Sequence, residues 1–268
     1  MSLVKAKDIR IVLVEPIHPG NIGGAARAMK TMGLADLAIV NPSRFPDPQA
    51  LWRAAGAVDI VDEARVFGCV DEAIADCGWV VGTSARSRRV PWPLATVEQF
   101  AERVVREDLG GKPVAVLFGR EDRGLSNEQL ECCNHHLVIP ANPEYPSLNL
   151  AMAVQVVCYE VLRALARVGN TDAETGNPTS PGRAEQSRPD LPTDWDRSPA
   201  TAADLAALYR HLGHVLSTIE FQDPKNPRLT MTRLRRMFAR IRPDQTEVAI
   251  LRGVLTRIER TLGRQPPQ

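Results

Sequence analysis

Polar, turn-rich segments follow three apolar runs of this chain, and their side chains could bind or activate a ligand. The segments are TSARSRR (83–89), GREDRGLSN (119–127) and PANPEYPSLN (140–149). In an open α/β sheet, ligands bind outside the carboxyl ends of the strands, so these segments together predict the ligand pocket. Gly119 and Gly124 could let the backbone approach a ligand or adopt a positive φ, although each alone is more typical of an ordinary turn.

A fourth segment follows the first apolar run and holds an asparagine and an arginine near the start of a helix. It reads HPGNIGGAARAMK (18–30). The predicted turn at 20–24 lacks the G-x-G-x-x-G spacing of a dinucleotide loop and the G-x-x-x-x-G-K-[ST] spacing of a phosphate loop. The second strand ends in Asn41-Pro42, without the acid that binds a ribose hydroxyl. A nicotinamide-dependent oxidoreductase is therefore disfavoured.

Taken one at a time, the candidate side chains have ordinary structural interpretations. Arg27 stands among small and apolar residues and is more typical of a solvated helix arginine. Ser147 precedes a long helical pattern, so it could be the N-cap of that helix. Glu121 and Glu144 are equally compatible with surface carboxylates. The residues by themselves therefore leave these roles open.

Short apolar runs alternate with helical patterns through residue 140 and predict the elements that position these segments. Because the runs are nearly continuous in Val, Ile and Leu, they are typical of strands covered on both sides. The order predicts an α/β fold, a mostly parallel sheet with helices on both faces. A long helix is predicted from about Leu148 to Arg167. The predicted strands are IRIVLV (9–14), LAIV (37–40), WVVGTS (79–84), VAVLF (114–118) and HLVIP (136–140).

The last third of the chain predicts a small C-terminal α-helical domain on a tether. Residues 169–200 are rich in Pro, Gly, Ser, Thr and Asp, which predicts a flexible linker. It separates a domain at 1–168 from one at 201–268. The helical patterns of the second domain lie at 201–220, 229–241 and 245–262.

Positive charge is concentrated near the C-terminal end. The whole chain has a formal net charge of +1, but residues 225–264 carry 11 basic and 3 acidic side chains, a local charge of +8. Helical spacing places Arg233, Arg236 and Arg240 on one face. A solvated face usually explains such a run, but here the absence of lysines and carboxylates favours contact with RNA phosphates. The acid-free run of arginines is Arg228, Arg233, Arg235, Arg236, Arg240 and Arg242, and the opposite, apolar face is Leu234, Met237, Phe238 and Ile241.

Cysteine usage and hydropathy disfavour several other classes of protein. The five cysteines include no CxxC pair, and only His135 and His136 stand beside the Cys132-Cys133 doublet. Reduced and mostly buried thiols are therefore predicted, with no metal site. The longest apolar stretch, 148–166, is interrupted by polar and charged residues, and no signal segment is recognisable. We expect a cytoplasmic protein without a membrane partner.

Three motifs in combination resemble those of the SPOUT methyltransferases, and within them the TrmH-like RNA 2′-O-ribose methyltransferases that act on cytidine or uridine in tRNA. The motifs are NIGGAARAMKTMG, LFGREDRGLSNEQL and IPANPEYPSLNLAMAVQ. The likeness covers nearly all of the chain, because VVGTSARSR with PWP and the C-terminal runs LYRHL, LRRMFARIRP and ILRGVL also match.

The resemblance implies a C-terminal trefoil knot, where the last strand and helix of the sheet domain thread a loop. Pattern alone would never suggest one, because knots are rare. It also implies S-adenosylmethionine bound in a bent form by the three late loops, and a homodimer whose active site is completed by the partner subunit. The implied reaction is 2′-O-methylation in tRNA, at nucleotide 32 of the anticodon loop, with no DNA and no metal.

Individual residues take roles from the same resemblance. Arg27 is the implied catalytic residue, and because its pKa above about 12 makes a general base unsuitable, it would stabilise charge and clamp a phosphate. The other implied catalytic residues are Asn21, Ser147, Asn149 and Glu121. The implied cofactor contacts are Thr83, Ser84, Ala85, Gly119, Ile139, Pro146, Ser147 and Leu148. From the charge pattern, and not from the resemblance, the expected RNA contacts are Arg233, Arg236 and Arg240 together with Arg86 and Arg88, and Arg89 could extend the same surface.

Two alternatives stay open at this point. A non-catalytic RNA-binding or ribosome-assembly factor could keep the sheet without the reaction, although Arg27, Glu121 and the run 147–149 weigh against it. Within the methyltransferases, the target could be another tRNA position or rRNA. A test for binding of S-adenosylmethionine separates the first alternative from the enzyme.

Overall fold

A computed structural model describes residues 4–84, 94–171, 198–221 and 229–263 of the chain. Its strands form one seven-stranded sheet in which every pair of neighbours is parallel. The strands are β1 Ile9–Val14, β2 Asp36–Val40, β3 Arg65–Phe67, β4 Trp79–Thr83, β5 Leu94–Thr96, β6 Val114–Phe118 and β7 His135–Val138. The predicted parallel sheet is confirmed.

The order of the strands across the sheet is β3-β2-β1-β6-β4-β7-β5. The chain builds one half outward from β1 through β2 to β3, and then crosses to place β4, β6 and β7 on the other side of β1. Such a reversal leaves a crevice at the carboxyl ends of the central strands, where open α/β sheets bind ligands. The loops after β6, β4 and β7 are therefore neighbours.

Helices cover both faces of the sheet, as predicted. Alternation along β1 sends Ile9, Ile11 and Leu13 to one face and Val12 and Val14 to the other. The first face packs against α1, α2, α3, α5 and α7, and the second against α4 and α6. These helices are α1 Pro19–Thr31, α2 Pro48–Ala54, α3 Val58–Asp62, α4 Val70–Ile74, α5 Val97–Val104, α6 Asn127–Glu131 and α7 Leu150–Thr171.

Two strands and two boundaries differ from prediction. The edge strands β3 and β5 each have three residues, and their RVF and LAT sequences are too short for a periodic signal. The predicted turn at 20–24 is wrong, because these residues belong to α1. A side chain at Gly23 would overlap the backbone of Ala50 in α2, so this glycine permits helix packing. The long helix begins two residues later than predicted and continues to Thr171.

The C-terminal domain is a three-helix unit, as predicted, with its own small core around Leu208, Val215, Phe238 and Leu255. It lies against the sheet domain. The first backbone amides of its first helix, those of Ala202 and Ala203, donate to the carbonyls of Cys77 and Ala75 over 3.0 and 3.2 Å. Its helices are α8 Ala202–Thr218, α9 Thr230–Ile241 and α10 Gln245–Leu262.

The division of the chain at 168 and 200 stays a prediction. Residues 169–171 are helical and Ser198–Ala200 are hydrogen-bonded to the segment before α10, so the ordered elements extend into both ends of the predicted linker. Its central part, 172–197, lies outside the described residues. The trefoil knot also stays a prediction.

The five cysteines differ in burial. Cys77, Cys133 and Cys158 are buried, Cys132 is half-buried and Cys69 is exposed, and all are free thiols. Burial raises the pKa of the Cys158 thiol to about 12. Within the described ranges, no helix has the length and apolar character to span a bilayer, and no cluster of His, Cys, Asp or Glu could hold a metal ion.

Candidate active site

A cavity of about 340 Å³ lies at the carboxyl ends of the adjacent strands β6, β4 and β7. The three polar segments predicted to form the pocket all contribute to it. Its lining includes seven of the eight predicted cofactor contacts: Thr83, Ser84, Gly119, Ile139, Pro146, Ser147 and Leu148. The eighth, Ala85, lies outside the described residues. The strand order thus brings the predicted cofactor contacts together.

The loop after β6 depends on its two glycines. A side chain at Gly119 would overlap the backbone of Gly124 and Leu125, so the loop folds back onto its own first residue. Gly124 has a φ of +72° and donates its N–H to the Arg120 carbonyl over 2.8 Å. An L-residue rarely adopts that φ. Both are therefore required by the shape of the cavity wall, and the ordinary-turn interpretation is insufficient.

Glu121 joins the three predicted motifs into one hydrogen-bonded network. Its carboxylate accepts the backbone N–H groups of Ile17 and His18 over 2.9 and 3.1 Å, and Asn21 Nδ2 over 2.8 Å. Asn149 Nδ2 in turn donates to Asn21 Oδ1 over 3.0 Å. The Glu121 carboxylate therefore connects the loop after β6 to the β1–α1 connection, and Asn21 links both to Asn149 at the start of α7.

Hydrogen bonds favour the ionised form of Glu121. Partial burial acts to raise its pKa, but the hydrogen bonds from Asn21, Ile17 and His18 outweigh burial, and the net pKa is lowered. An ionised carboxylate with three N–H donors cannot easily serve as a proton acceptor near pH 7. We infer that Glu121 positions the loops. The sequence pattern contains no signal for this role, because the donors lie about 100 residues away.

Glu121→Gln should destabilise the protein in a pH-dependent way. The side-chain amide turns an NH₂ group toward N–H donors, so we expect a loss of roughly 1–3 kcal/mol at neutral pH. Because the folded pKa of Glu121 is lowered, its stabilisation is present above the unfolded pKa, about 4.3, and is lost as pH falls through the folded value. Thermal unfolding over a series from about pH 7 to below the folded pKa of Glu121 measures the difference.

The matched control for this change is Asp122→Asn. Asp122 is the exposed neighbour whose pKa is lowered chiefly by a hydrogen bond from Arg120. A surface pair of this kind contributes little. A gap in melting temperature between wild type and Glu121→Gln that does not shrink toward acid would contradict the positioning role of the carboxylate.

Asn149, and not Ser147, caps the long helix. Its side-chain oxygen accepts the N–H of Ala151 over 3.0 Å, and its carbonyl accepts the N–H of Ala153. Ser147 therefore lines the cavity and does not cap the helix. The N-cap interpretation of Ser147 is wrong because the helix begins at Leu150, too far along for that hydroxyl.

Arg27 lies on α1, about 9 Å along the helix axis from Asn21. Its side chain is exposed and is not part of the cavity lining. Arg27 stands about one helical turn beyond Gly23 and Gly24, where α1 packs closely against α2 and α7. Gly24 lies against α7, where an added methyl would be 2.9 Å from Ala151 Cβ. Its predicted catalytic role stays a prediction.

Residues missed by sequence reasoning also shape the cavity. Arg120 and Arg123 line it, and both contact the carboxylate of Glu15 at the end of β1, at 3.7 and 3.1 Å. Gln129 donates to the other Glu15 oxygen over 3.2 Å. The position of Glu15 directly after a strand was an available signal, since ligand-proximal residues follow strand ends.

The basic helix α9 divides into exposed and docked arginines. Arg233 and Arg240 are exposed, and Arg236 is half-buried. Arg242 is different: its guanidinium lies 4.7 Å from the Trp79 ring centroid and 2.9 Å from Glu107. The run itself contains no acid, but the sheet domain supplies carboxylates to some of its arginines. Arg86, Arg88 and Arg89 lie outside the described residues.

Two further details of α9 differ from prediction. Arg235 packs over the Tyr209 ring at 5.4 Å and lies 4.0 Å from Glu131. The predicted apolar face is only partly covered, since Phe238 is buried while Met237 and Ile241 are exposed. Polar contacts with the sheet domain therefore hold α9 together with the apolar ones.

The geometry suits binding of a compact ligand beside a separate acceptor. The cavity is concave, has apolar walls from Leu125, Leu137 and Ile139, and has backbone groups at its rim, as small-molecule sites do. The network of Glu121, Asn21 and Asn149 fixes the adjoining start of α1. A guanidinium on that helix can stabilise developing negative charge or bind phosphate.

Sequence comparison agrees with this arrangement. The model of the SpoU rRNA methylase family matches residues 8–159, and that of the C-terminal domain of the tRNA methyltransferase TrmJ matches residues 203–267. The chain is 46% identical over 260 residues to the tRNA (cytidine/uridine-2′-O-)-methyltransferase TrmJ of Cronobacter sakazakii, covering 97% of this chain and 99% of that protein.

Two other relatives extend the comparison. The tRNA (cytidine/uridine/adenosine-2′-O-)-methyltransferase TrmJ of Pseudomonas aeruginosa is 46% identical over 252 residues, 94% of each chain. The crystal structure of TrmJ from Z. mobilis ZM4 superposes with a TM-score of 0.75 at 33% identity, covering 93% of this chain and 98% of that one.

Proposed function

This chain belongs to the SpoU rRNA methylase family and ends in a TrmJ-type C-terminal domain, and from that premise we propose that it methylates the ribose 2′-hydroxyl of a cytidine or uridine in tRNA, with S-adenosylmethionine as donor. The proposed target is nucleotide 32 of the anticodon loop. The observation that carries the proposal is the network of Glu121, Asn21 and Asn149, which holds the start of α1 beside the cavity.

The residues present fit the proposed donor. The cavity of about 340 Å³ falls within the size range of small-molecule sites, and three backbone loops converge on it. Because Gly119 has no side chain, the loop after β6 can fold back onto it and form one wall of the cavity. The apolar side chains of Leu125, Leu137 and Ile139 suit an adenine ring. When bound, the donor would supply an electrophilic methyl group on a sulfonium.

The chain contributes orientation and charge to the reaction. Ser147 and the backbone of Thr83, Ser84 and Gly119 would hold the donor at the cavity. Arg27 would bind a phosphate of the acceptor nucleotide or stabilise the negative charge that develops on the attacking oxygen. Because an arginine does not deprotonate in proteins, a phosphate oxygen or water would take the hydroxyl proton. Correct positioning can supply about 7–11 kcal/mol of the barrier reduction in favourable cases.

An exposed apolar stripe on α7 supports the proposed homodimer. Met152 is 64% exposed and Tyr159 is 50% exposed, on the face opposite the buried Val154 and Val161. Tyr145, just before the helix, is 78% exposed. Contiguous apolar surface of this kind marks an interaction site. We propose that a second copy covers the stripe and completes the acceptor side, which sedimentation velocity of the full chain would test.

One experiment tests the proposed function directly. Purified full-length protein is incubated with radiolabelled S-adenosylmethionine and whole tRNA, and the modified ribose is mapped by nuclease digestion. We expect label on a cytidine or uridine of the anticodon loop. Label on adenosine or on rRNA would redirect the substrate, and binding of tRNA without donor binding or transfer would favour the non-catalytic alternative.

The exposed face of α9 is proposed to contact tRNA phosphates. Replacing Arg233 and Arg240 with alanine should weaken tRNA binding and make its dependence on salt shallower by about 1–2 logarithmic units per decade, as two lost phosphate contacts require. Arg242→Ala is the matched control, because its buried guanidinium contacts Glu107 and Trp79. That variant should lower the melting temperature and leave the salt slope unchanged. An unchanged slope in the double variant would contradict the phosphate contact.

A further inference from the structure

Trp52, on α2, has an unusually exposed aromatic side chain. It is 79% exposed, the largest exposed fraction among the large hydrophobic side chains of the described residues. An indole carries a large apolar surface, which proteins usually bury or use for binding. Trp52 lies in a shallow depression of about 460 Å³ on α2 and the segment before it. The lining is Arg44, Asp47, Pro48, Gln49, Trp52 and Arg53.

The charge around this indole suits an anion. Arg53 is exposed and forms no ion pair within the described part of the chain. Arg44 pairs with Asp47 over 2.7 Å, and the same carboxylate accepts the N–H of Gln49, so Asp47 is already engaged. Hydrogen bonds from Gln49 and Arg44 lower the pKa of Asp47, which keeps it ionised. The depression therefore carries two guanidiniums and one carboxylate, a net charge of +1.

The depression adjoins the helix that carries Asn21 and Arg27. An added methyl at Gly20 would lie 3.3 Å from Arg53 Cγ, so the arginine stem crosses the first turn of α1. Gly23, one turn on, is in backbone contact with α2 at Ala50. The two helices are thus held without intervening side chains. Gly20 and Arg27 are seven residues apart on α1 and therefore lie on the same face of the helix, and the stem of Arg53 crosses that face at Gly20.

We propose that Trp52 and Arg53 form a second substrate contact, where an unstacked base of the RNA packs on the indole and its flanking phosphate binds the guanidinium. This inference rests on the proposed function, and it names the part of the RNA that the site recognises: a single-stranded nucleotide close to the methylated one. Exposed aromatic side chains beside arginines bind single-stranded RNA in this way. A paired stem cannot present a base for stacking.

The test compares three variants of the site and one control variant, all in the full chain, in tRNA binding and methyl transfer. Trp52→Ala should weaken tRNA binding by roughly 5- to 100-fold, the range expected for one lost base stack. Trp52→Phe keeps an aromatic surface and should recover most of that loss. Arg53→Glu should also weaken tRNA binding relative to wild type, and the loss should be larger at low salt. Lys7→Glu, an exposed cation before β1, is the matched charge control and should have little effect.

Each outcome of this comparison decides the inference. Wild-type transfer with unchanged tRNA affinity in Trp52→Ala would overturn the stacking contact and leave the proposed function intact. A change from dimer to monomer in sedimentation of Trp52→Ala would assign the depression to a subunit interface and overturn it. Absence of methyl transfer by the wild type would refute the proposed function itself. Loss of affinity with unchanged melting temperature, donor binding and mass would support the contact.

Discussion

Arg27→Ala should reduce methyl transfer by at least about 100- to 1000-fold while donor binding is preserved. The expected loss is that of one group that stabilises charge in the transition state. Donor binding should survive because Arg27 is absent from the lining of the cavity. Single-turnover methyl transfer with saturating donor measures the first quantity, and calorimetric titration with S-adenosylmethionine measures the second.

Two further variants identify what Arg27 contributes. Arg27→Lys keeps a positive charge but cannot form a bidentate contact, so it should recover only part of the rate. Lys30→Ala is the matched control, since Lys30 is exposed on the same helix and pairs with Asp59 over 2.7 Å. Its rate should be close to that of wild type. Full activity of Arg27→Ala would refute the catalytic assignment.

Gly119→Ala should abolish donor binding and destabilise the protein. The added Cβ would overlap backbone atoms of Gly124 and Leu125, which cannot rotate away as a side-chain end could. The loop after β6 must therefore open, and the cavity wall opens with it. Overpacking of this kind costs about 1–3 kcal/mol or more. Titration with S-adenosylmethionine and thermal unfolding of the same sample measure both effects.

Gly253→Ala is the control variant, because a methyl group added at this glycine would not contact other atoms. Gly253 lies in α10 with no atom within 4 Å of an added Cβ, so alanine should be neutral or stabilise the helix by up to about 1 kcal/mol. Gly124→Ala should fall between the two, because the space is open but the φ of +72° is unfavourable for alanine. Wild-type donor affinity in Gly119→Ala would show that the loop is not a wall of the donor site.

The C-terminal domain contacts the sheet domain at Trp79, where Arg242 packs on the indole ring. Trp79 is contacted at once by the guanidiniums of Arg103 and Arg242, at 5.2 and 4.7 Å, and its Nε1 donates to His135 Nδ1 over 3.2 Å. Burial, together with the two arginines, lowers the pKa of His135 to about 4, so the imidazole stays neutral and accepts this hydrogen bond. The imidazole of His135 therefore carries no charge near neutral pH at the place where Arg242 packs on Trp79.

The local sequence predicted most of the elements of this protein and the segments that form its pocket, and the resemblance of three motifs to a known family identified the candidate site residues. The Val, Ile and Leu runs predicted the five longer strands, because burial on both faces requires apolar residues at every position. The segments at 83–89, 119–127 and 140–149 were predicted to follow strand ends, where a doubly wound sheet binds ligands. Both signals come from neighbouring residues along the chain.

Only the tertiary structure decided which of these residues meet, and what Glu121, Arg242 and Gly23 do. The order β1-β6-β4-β7 depends on long-range pairing, so no local pattern could place Glu121 beside Ile17 and Asn21. Arg242 and Arg233 belong to the same arginine-rich run of the sequence. Packing onto Trp79 buries Arg242, whereas Arg233 is exposed. Gly23 resembled a turn glycine because a close contact with a helix about 27 residues away has no local signature. Hydrogen bonds and packing across such separations depend on the whole fold, whereas secondary structure depends mainly on neighbouring residues.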